Sequence, residues 1–257
     1  MKSLAFHIIL VAQLAPGCRT PPGPPPTAHP SAHPAAHPAS RPTLAPASLP
    51  SALRRPGLRV AGMTIGHPDA PVAIDHFTDF ECPHCAQVQR VLVGLARRYP
   101  AQVRLRHRDF PLDSDCNRTV KGVFHSNACR AALFARCASL QGRFWVFAAQ
   151  VFSYQRALSK DDLLGHGRQL GLDVEALAAC VDLPAPRRAL QEDIEEGIQR
   201  QVTGTPTTFL SLSGEPVETV VGKRSREWWE LRVGRLIDRV NSSRTHHRPR
   251  AAPAPPP

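Results

Sequence analysis

Apolar positions between residues 58 and 241 change period several times, and each change marks an element. Pro71–Phe80 reads Pro-Val-Ala-Ile-Asp-His-Phe-Thr-Asp-Phe, a short β-prone run. Beyond it Val88, Val91, Leu92, Leu95 and Ala96 share one stripe at helical spacing, and Tyr99-Pro100 stops that helix. Gln102–Asp109 then alternates apolar with basic residues (Val103, Leu105, then His107), which predicts a second strand and completes a strand–helix–strand unit. From Cys116 to about Arg200 the period is helical, with breaks near Gly142, Ser159, Gly171 and Pro184-Ala185-Pro186. Ser159-Lys160-Asp161-Asp162 and Leu172-Asp173-Val174-Glu175 both carry helix-opening caps. Thr207–Leu212, the turn Ser213-Gly214-Glu215 and Pro216–Val221 predict a hairpin. Arg226–Val240 closes as an amphipathic helix with Trp228, Leu231, Ile237 and Val240 on its apolar face. The class is α/β, with a mostly helical insert of roughly 85 residues between a βαβ half and a ββα half.

Composition sets the limits of this domain. Of 27 prolines, 12 fall between Arg19 and Gly57 and five in the last nine residues. Such stretches bury too little apolar surface to offset the entropy of ordering them. The expected division is therefore a leader at 1–17, a Pro/Ala/His-rich linker at 18–57, one domain at 58–241 and a basic, proline-rich tail at 242–257. The formal charge of +11 suggests nucleic acid until it is located: Leu58–Asp238 holds 23 Lys and Arg against all 21 Asp and Glu. The excess lies on the flanks, where it suits solubility or an anionic membrane surface, and no nucleic-acid partner is expected.

Met1–Ala15 has a basic start at Lys2 and a short apolar run, Leu4–Ala12, too short to span a bilayer. It leads to Leu14-Ala15-Pro16-Gly17-Cys18, which resembles the lipobox of bacterial lipoproteins, although Leu14 sits four residues before the cysteine and Pro16 intrudes. Cys18 is then the expected lipidation site and the protein a membrane-anchored one; the plainer alternative is an ordinary cleaved leader. The His29-Pro30, His33-Pro34 and His37-Pro38 stutter belongs to an extended spacer, whose 39 residues reach roughly 120 Å at most. Extended geometry does not converge those histidines, so no metal site is expected there.

Seven cysteines call for an oxidising compartment or a metal, and their spacing does not supply the two C-x-x-C pairs of a four-thiolate zinc site. Cys82-Pro83-His84-Cys85 falls at a strand-to-helix junction, with Pro83 just inside the helix, where its missing N–H costs nothing. Unpaired N–H groups and the positive end of the helix dipole converge on the first cysteine and stabilise its thiolate. Cys82 is thus the expected nucleophile and Cys85, one turn deeper, the residue that resolves a mixed disulfide. A protonated His84 would add positive charge beside the Cys82 sulfur. The competing readings are a plain structural bridge or half of a metal site.

Three segments in this order, Phe77–Cys85, Asp109-Phe110-Pro111-Leu112 and Thr203-Gly204-Thr205-Pro206-Thr207, are similar to the DsbA-like branch of the thioredoxin superfamily. The resemblance covers roughly residues 58–241 and includes the Pro83-His84 pair. It implies a thioredoxin-like fold with a helical insertion and thiol–disulfide oxidoreductase activity with no bound cofactor, toward the oxidising end of the class. Potentials there run from about −270 mV to about −120 mV, a gap on the order of 7 kcal/mol. It further implies a cis Pro206 packed against the cysteine pair, and a Thr205 backbone that pairs with an extended substrate segment. The implied partners are cysteine-containing exported proteins and a quinone-linked membrane protein of the DsbB or vitamin K epoxide reductase type. The implied location is the periplasmic side. A reductase or isomerase, or a non-catalytic peptide-binding lipoprotein module, are the alternatives. Many relatives carry an acid six residues before the nucleophile; here that position is His76, open to a proton-relay role or to simple packing.

Cys116, Cys129, Cys137 and Cys180 remain, and four cysteines allow three pairings. Cys129 and Cys137 on one helix are about 12 Å apart, too far for a bridge. The preferred arrangement is Cys116–Cys129 and Cys137–Cys180 as structural disulfides, with a second redox pair or free thiols as alternatives.

Overall fold

The computed structural model describes residues 57–246. The leader at 1–17, Cys18, the linker up to residue 56 and the tail beyond residue 246 lie outside the described residues. Chain order is β1 (Val60–Ala61), β2 (Thr64–Ile65), β3 (Val72–Thr78), α1 (Pro83–Arg98), β4 (Val103–Asp109), α2 (Ala128–Leu140), α3 (Phe144–Ser153), α4 (Lys160–Gln169), α5 (Val174–Cys180), α6 (Pro184–Gln199), β5 (Thr207–Leu212), β6 (Glu215–Val221) and α7 (Arg226–His246). The six strands form one sheet in the order β1-β2-β4-β3-β5-β6. β3 and β4 are parallel, with Val72 opposite Val103 and Thr78 opposite Asp109, while β5 runs antiparallel to β3 and β6 to β5. This is the α/β thioredoxin fold with a helical insertion.

Strand alternation decides which helix covers which face. Ile74 and His76 of β3 lie on the same side as Leu105 and His107 of β4, and His107 reaches Gln89 of α1. The intervening residues turn the other way: Asp75 meets Arg200 at the end of α6, and Arg108 meets Asp193 within it. Helix α1 thus lies on one face, with α7 packed against it, and α6 on the opposite face. α6 approaches so closely that a Cβ on Gly197 would stand 2.5 Å from the Phe110 ring. Only a residue without a side chain lets that helix settle on Phe110 and Phe77.

Two disulfides organise the insert. Cys116–Cys129 closes the segment entering α2, and Cys137–Cys180 joins α2 to α5. Ser159 caps α4 in a reciprocal box with Asp162, Asp173 caps α5, and Pro184 opens α6.

Four particulars differ from the sequence expectation. The segment 116–127 is irregular and not helical: α2 starts at Ala128, because polar turns at Asp113 and Asn117 bind the local amides instead. The short hairpin of β1 and β2 carries no period that two-residue strands could reveal. In α7 the buried side is Trp229, Val233, Leu236 and Ile237, whereas Leu231 is 63 % exposed. Ile237 is buried as expected and Trp228 packs partly against the core, but the stripe runs through Trp229, Val233 and Leu236 instead of Leu231, since the contacts of α1 and β3 with α7 select the face. The same helix runs on to His246, past Asn241.

Candidate active site

Strand β3 ends at Thr78, and Asp79-Phe80-Glu81 turns the chain into α1 with Cys82 as its N-cap. The cap is a sulfur: the Cys85 N–H donates to Cys82 Sγ at 3.3 Å. An orphan amide of the first turn is therefore spent on the thiol that would carry negative charge. From the far side, Thr205 and Pro206, joined by a cis peptide bond, close over the pair, and the Cys82 thiol donates to the Thr205 carbonyl at 3.5 Å. Cys82 and Cys85 are both free thiols here. Cys82 retains 6 % exposure and Cys85 none, so only the first sulfur is open to a partner.

Their acidities separate for the same reason. A hydrogen bond from the Cys85 thiol, helped by the Cys85 backbone N–H and by the Thr205 side chain, lowers Cys82 from 9.0 to about 6, against burial and the nearby charge of Asp79. Burial, together with the hydrogen bond to Cys82, pushes the Cys85 thiol well above its ordinary range. One sulfur is set to be an anion near neutral pH and the other to keep its proton.

The turn before Cys82 is held by groups remote in sequence. Gln155, in the α3–α4 connection, donates to the carbonyls of Phe80 (2.7 Å) and Cys82 (2.9 Å). The Phe80 ring lies 4.7 Å from Phe152 and is stacked at 5.4 Å on His107. The buried Asp79 carboxylate accepts from the Glu81 N–H (2.7 Å), the Leu112 N–H (2.6 Å) and His125 Nδ1 (2.9 Å). That carboxylate raises His125 above the usual imidazole range, in spite of partial burial, with further help from Glu81 and Cys82. Asp79 left a trace in the sequence, since an Asp bonded two residues on is a turn signal. His125 and Gln155 left none, being 43 and 73 residues from Cys82 along the chain.

The residues singled out by sequence separate into three groups. Cys82, Cys85, Thr205 and Pro206 converge; Cys116, Cys129, Cys137 and Cys180 form the two bridges away from them. His84 is exposed on the first turn of α1. His76 is fully buried on β3, with Nδ1 2.8 Å from the Thr208 hydroxyl and no hydrogen-bond partner for Nε2. Burial, with the neighbouring His107, drives it down to about 3. A ring so reluctant to take a proton suits packing better than relay.

Residues 73–230, well over half the chain, match the family model described as a DSBA-like thioredoxin domain. The chain belongs to the DSBA-like thioredoxin domain family. Solved structures of similar fold include a thioredoxin-like oxidoreductase from Silicibacter pomeroyi DSS-3. It is 20 % identical with a TM-score of 0.56, over 73 % of this chain and 94 % of that one. Wolbachia pipientis alpha-DsbA1 is 17 % identical with a TM-score of 0.58, over 74 % and 96 %. The catalytic domain of Proteus mirabilis ScsC is 17 % identical with a TM-score of 0.55, over 68 % and 88 %. At these identities the likeness is one of fold. Among curated proteins, the Na(+)/H(+) antiporter NhaA 1 of Mycolicibacterium gilvum is 28 % identical over 167 residues, 64 % of this chain and 24 % of that protein. The antiporter NhaA of Herminiimonas arsenicoxydans is 30 % identical over 145 residues, 56 % and 21 %. This DSBA-like chain spans about a quarter of the length of those relatives or less, and no described helix is long and apolar enough to cross a membrane.

Proposed function

We propose that this DSBA-like protein is an oxidase of cysteine pairs in exported proteins, working through Cys82 and Cys85. The observation that carries the reading is the opposed acidity of the two sulfurs, with Cys82 down to about 6 and Cys85 well up. Stabilising the Cys82 thiolate favours the reduced enzyme, and a pair that prefers to be reduced is an oxidant as a disulfide. In the reaction, a substrate thiolate attacks Cys82 Sγ of the Cys82–Cys85 disulfide. The S–S bond breaks, and its electron pair leaves on the Cys85 sulfur, which takes up a proton in its buried position. The second substrate thiolate then attacks the substrate sulfur of the mixed disulfide and expels Cys82 as the thiolate. Two electrons pass to the enzyme, and the substrate leaves as a disulfide.

The Cys82 sulfur is reached beside Thr205, whose backbone, next to the start of β5, suits pairing with an extended segment. The N-terminal pattern supports placement on the periplasmic side, anchored by lipid at Cys18. Reoxidation falls to a quinone-linked membrane partner of the DsbB or vitamin K epoxide reductase type. Sodium–proton antiport belongs to the longer relatives and forms no part of this reading. Equilibration of the purified protein with glutathione redox buffers tests the direction. The oxidase reading expects a potential nearer −120 mV than −270 mV, and a value near about −270 mV overturns it in favour of a reductase.

A further inference from the structure

The residues that neutralise the mouth of the site come from the loop between β4 and α2. Asp79 stands three residues before the nucleophile, and its charge opposes ionisation of Cys82. The same carboxylate is paired with His125, whose ring is only 17 % exposed and is stacked on Phe124 at 4.5 Å. The loop carrying His125 is anchored at both ends. Leu112 N–H binds Asp79 at one end, Asn127 N–H binds the Glu81 carboxylate at 2.7 Å at the other, and Cys116–Cys129 closes the segment. The charged groups facing His125 are Asp79, Glu81 and Cys82. Asp113 of its own loop is turned to the amides of Asp115 and Cys129. Three potential anions and one imidazole thus share a corner of the protein beside the helix start.

We propose that the Asp79–His125 pair is a switchable counter-charge for the Cys82 thiolate, with His125 acting as a positioning residue through Asp79. While His125 holds its proton, the carboxylate is masked and the thiolate forms readily. Once the ring is neutral, Asp79 faces the sulfur uncompensated, the thiolate is disfavoured and the disulfide becomes a weaker oxidant. Oxidising power would then be tied to ambient acidity by a residue outside the Cys-x-x-Cys motif. The inference rests on the reading that Cys82 is the exchanging thiolate.

Thiolate absorbance near 240 nm, followed against pH in the reduced full-length protein, tests it. His125→Gln is expected to raise the Cys82 midpoint by about one unit, a tenfold change in ionisation. Asp79→Asn should lower the midpoint, and adding His125→Gln to it should change little. His125→Arg, which keeps the charge, should restore the wild-type midpoint. An unmoved midpoint in His125→Gln overturns the proposal, as do equal shifts in the Gln and Arg variants, which would mark a merely structural role. Should the Gln variant not fold, NMR titration of His125 in the unmodified protein decides instead. By reciprocity its midpoint must be higher with Cys82 reduced than with the pair oxidised, and equal midpoints overturn the idea. A wild-type Cys82 midpoint at or above about 8.5 strikes the parent reading, whereas a low wild-type midpoint with unmoved variants removes only the counter-charge.

Discussion

Asp109 and Asp193, where α2 and α6 meet the sheet, share their charge with Arg108 and Arg136; Asp79, at the mouth of the cysteine pair, shares its charge with His125. Both clusters centre on buried carboxylates, and both tie the insert or its entry loop to the sheet. The cation differs. Arginine stays protonated at any pH a protein meets, so the first cluster is a permanent joint. Arg136 and His107 hold Asp109 below the usual carboxylate range against its burial. Histidine gives up its proton within the physiological range, so the second cluster can change state beside the Cys82–Cys85 pair. The fold thus puts fixed charge under its structure and a titratable partner beside the Cys82 thiol.

Breaking the permanent joint should have the largest effect. Arg136→Met leaves Asp109 and Asp193 without a shared cation and is expected to cost about 3–5 kcal/mol in urea unfolding, with the Cys82 midpoint unchanged. A loss of that size accompanied by a shifted thiol would merge the two clusters and end the contrast.

Two histidines sharpen the same comparison through pH. His76 faces no anion and is down to about 3, so the native state stays unprotonated while the unfolded chain takes up a proton below 6.5. Its contribution is present above 6.5 and is lost as pH falls through about 3, on the order of 5 kcal/mol in all. Urea midpoints measured across that window should show the slope, and His76→Asn should flatten it. His125 is raised, so its smaller contribution is full below 6.5 and is lost as pH climbs through its folded value. Opposite slopes from two residues of one type would trace the difference to their surroundings.

The disulfides come next. Loop entropy gives about 4 kcal/mol for Cys137–Cys180, which closes the longer loop, against about 3 kcal/mol for Cys116–Cys129. Replacing each pair by alanine should rank them in that order by urea unfolding. Only loss of Cys116–Cys129, which frees the loop of His125, should also raise the Cys82 midpoint. The smallest effect belongs to His125→Gln, at about 1 kcal/mol or less of stability, since a partly solvated pair contributes little. Its consequence is read in the thiol titration and not in the melt.

Local pattern sufficed wherever neighbours along the chain made the structure. The alternation of Val103, Leu105 and His107 marks β4, the stripe Val88–Leu92–Leu95 marks the face of α1 that is buried, and Pro83 marks the start of that helix. The paired cysteines of the insert were constrained by spacing along one helix. The phase of α7 was not legible, because Trp228, Trp229, Leu231 and Val233 offer more than one apolar face, and the packing of α1 and β3 chose among them.

From its own residues the chain determined that an acidic thiol sits at a helix start, because a Cys-Pro-His-Cys junction places sulfur where amide donors end, and the distances involved are a single turn. What surrounds that sulfur was decided by tertiary structure alone. Thr205 comes from 123 residues away, Gln155 from 73, and His125 from 43. Electrostatic influence depends on distance through space, and only the folded sheet and its insert bring those groups within reach of Cys82.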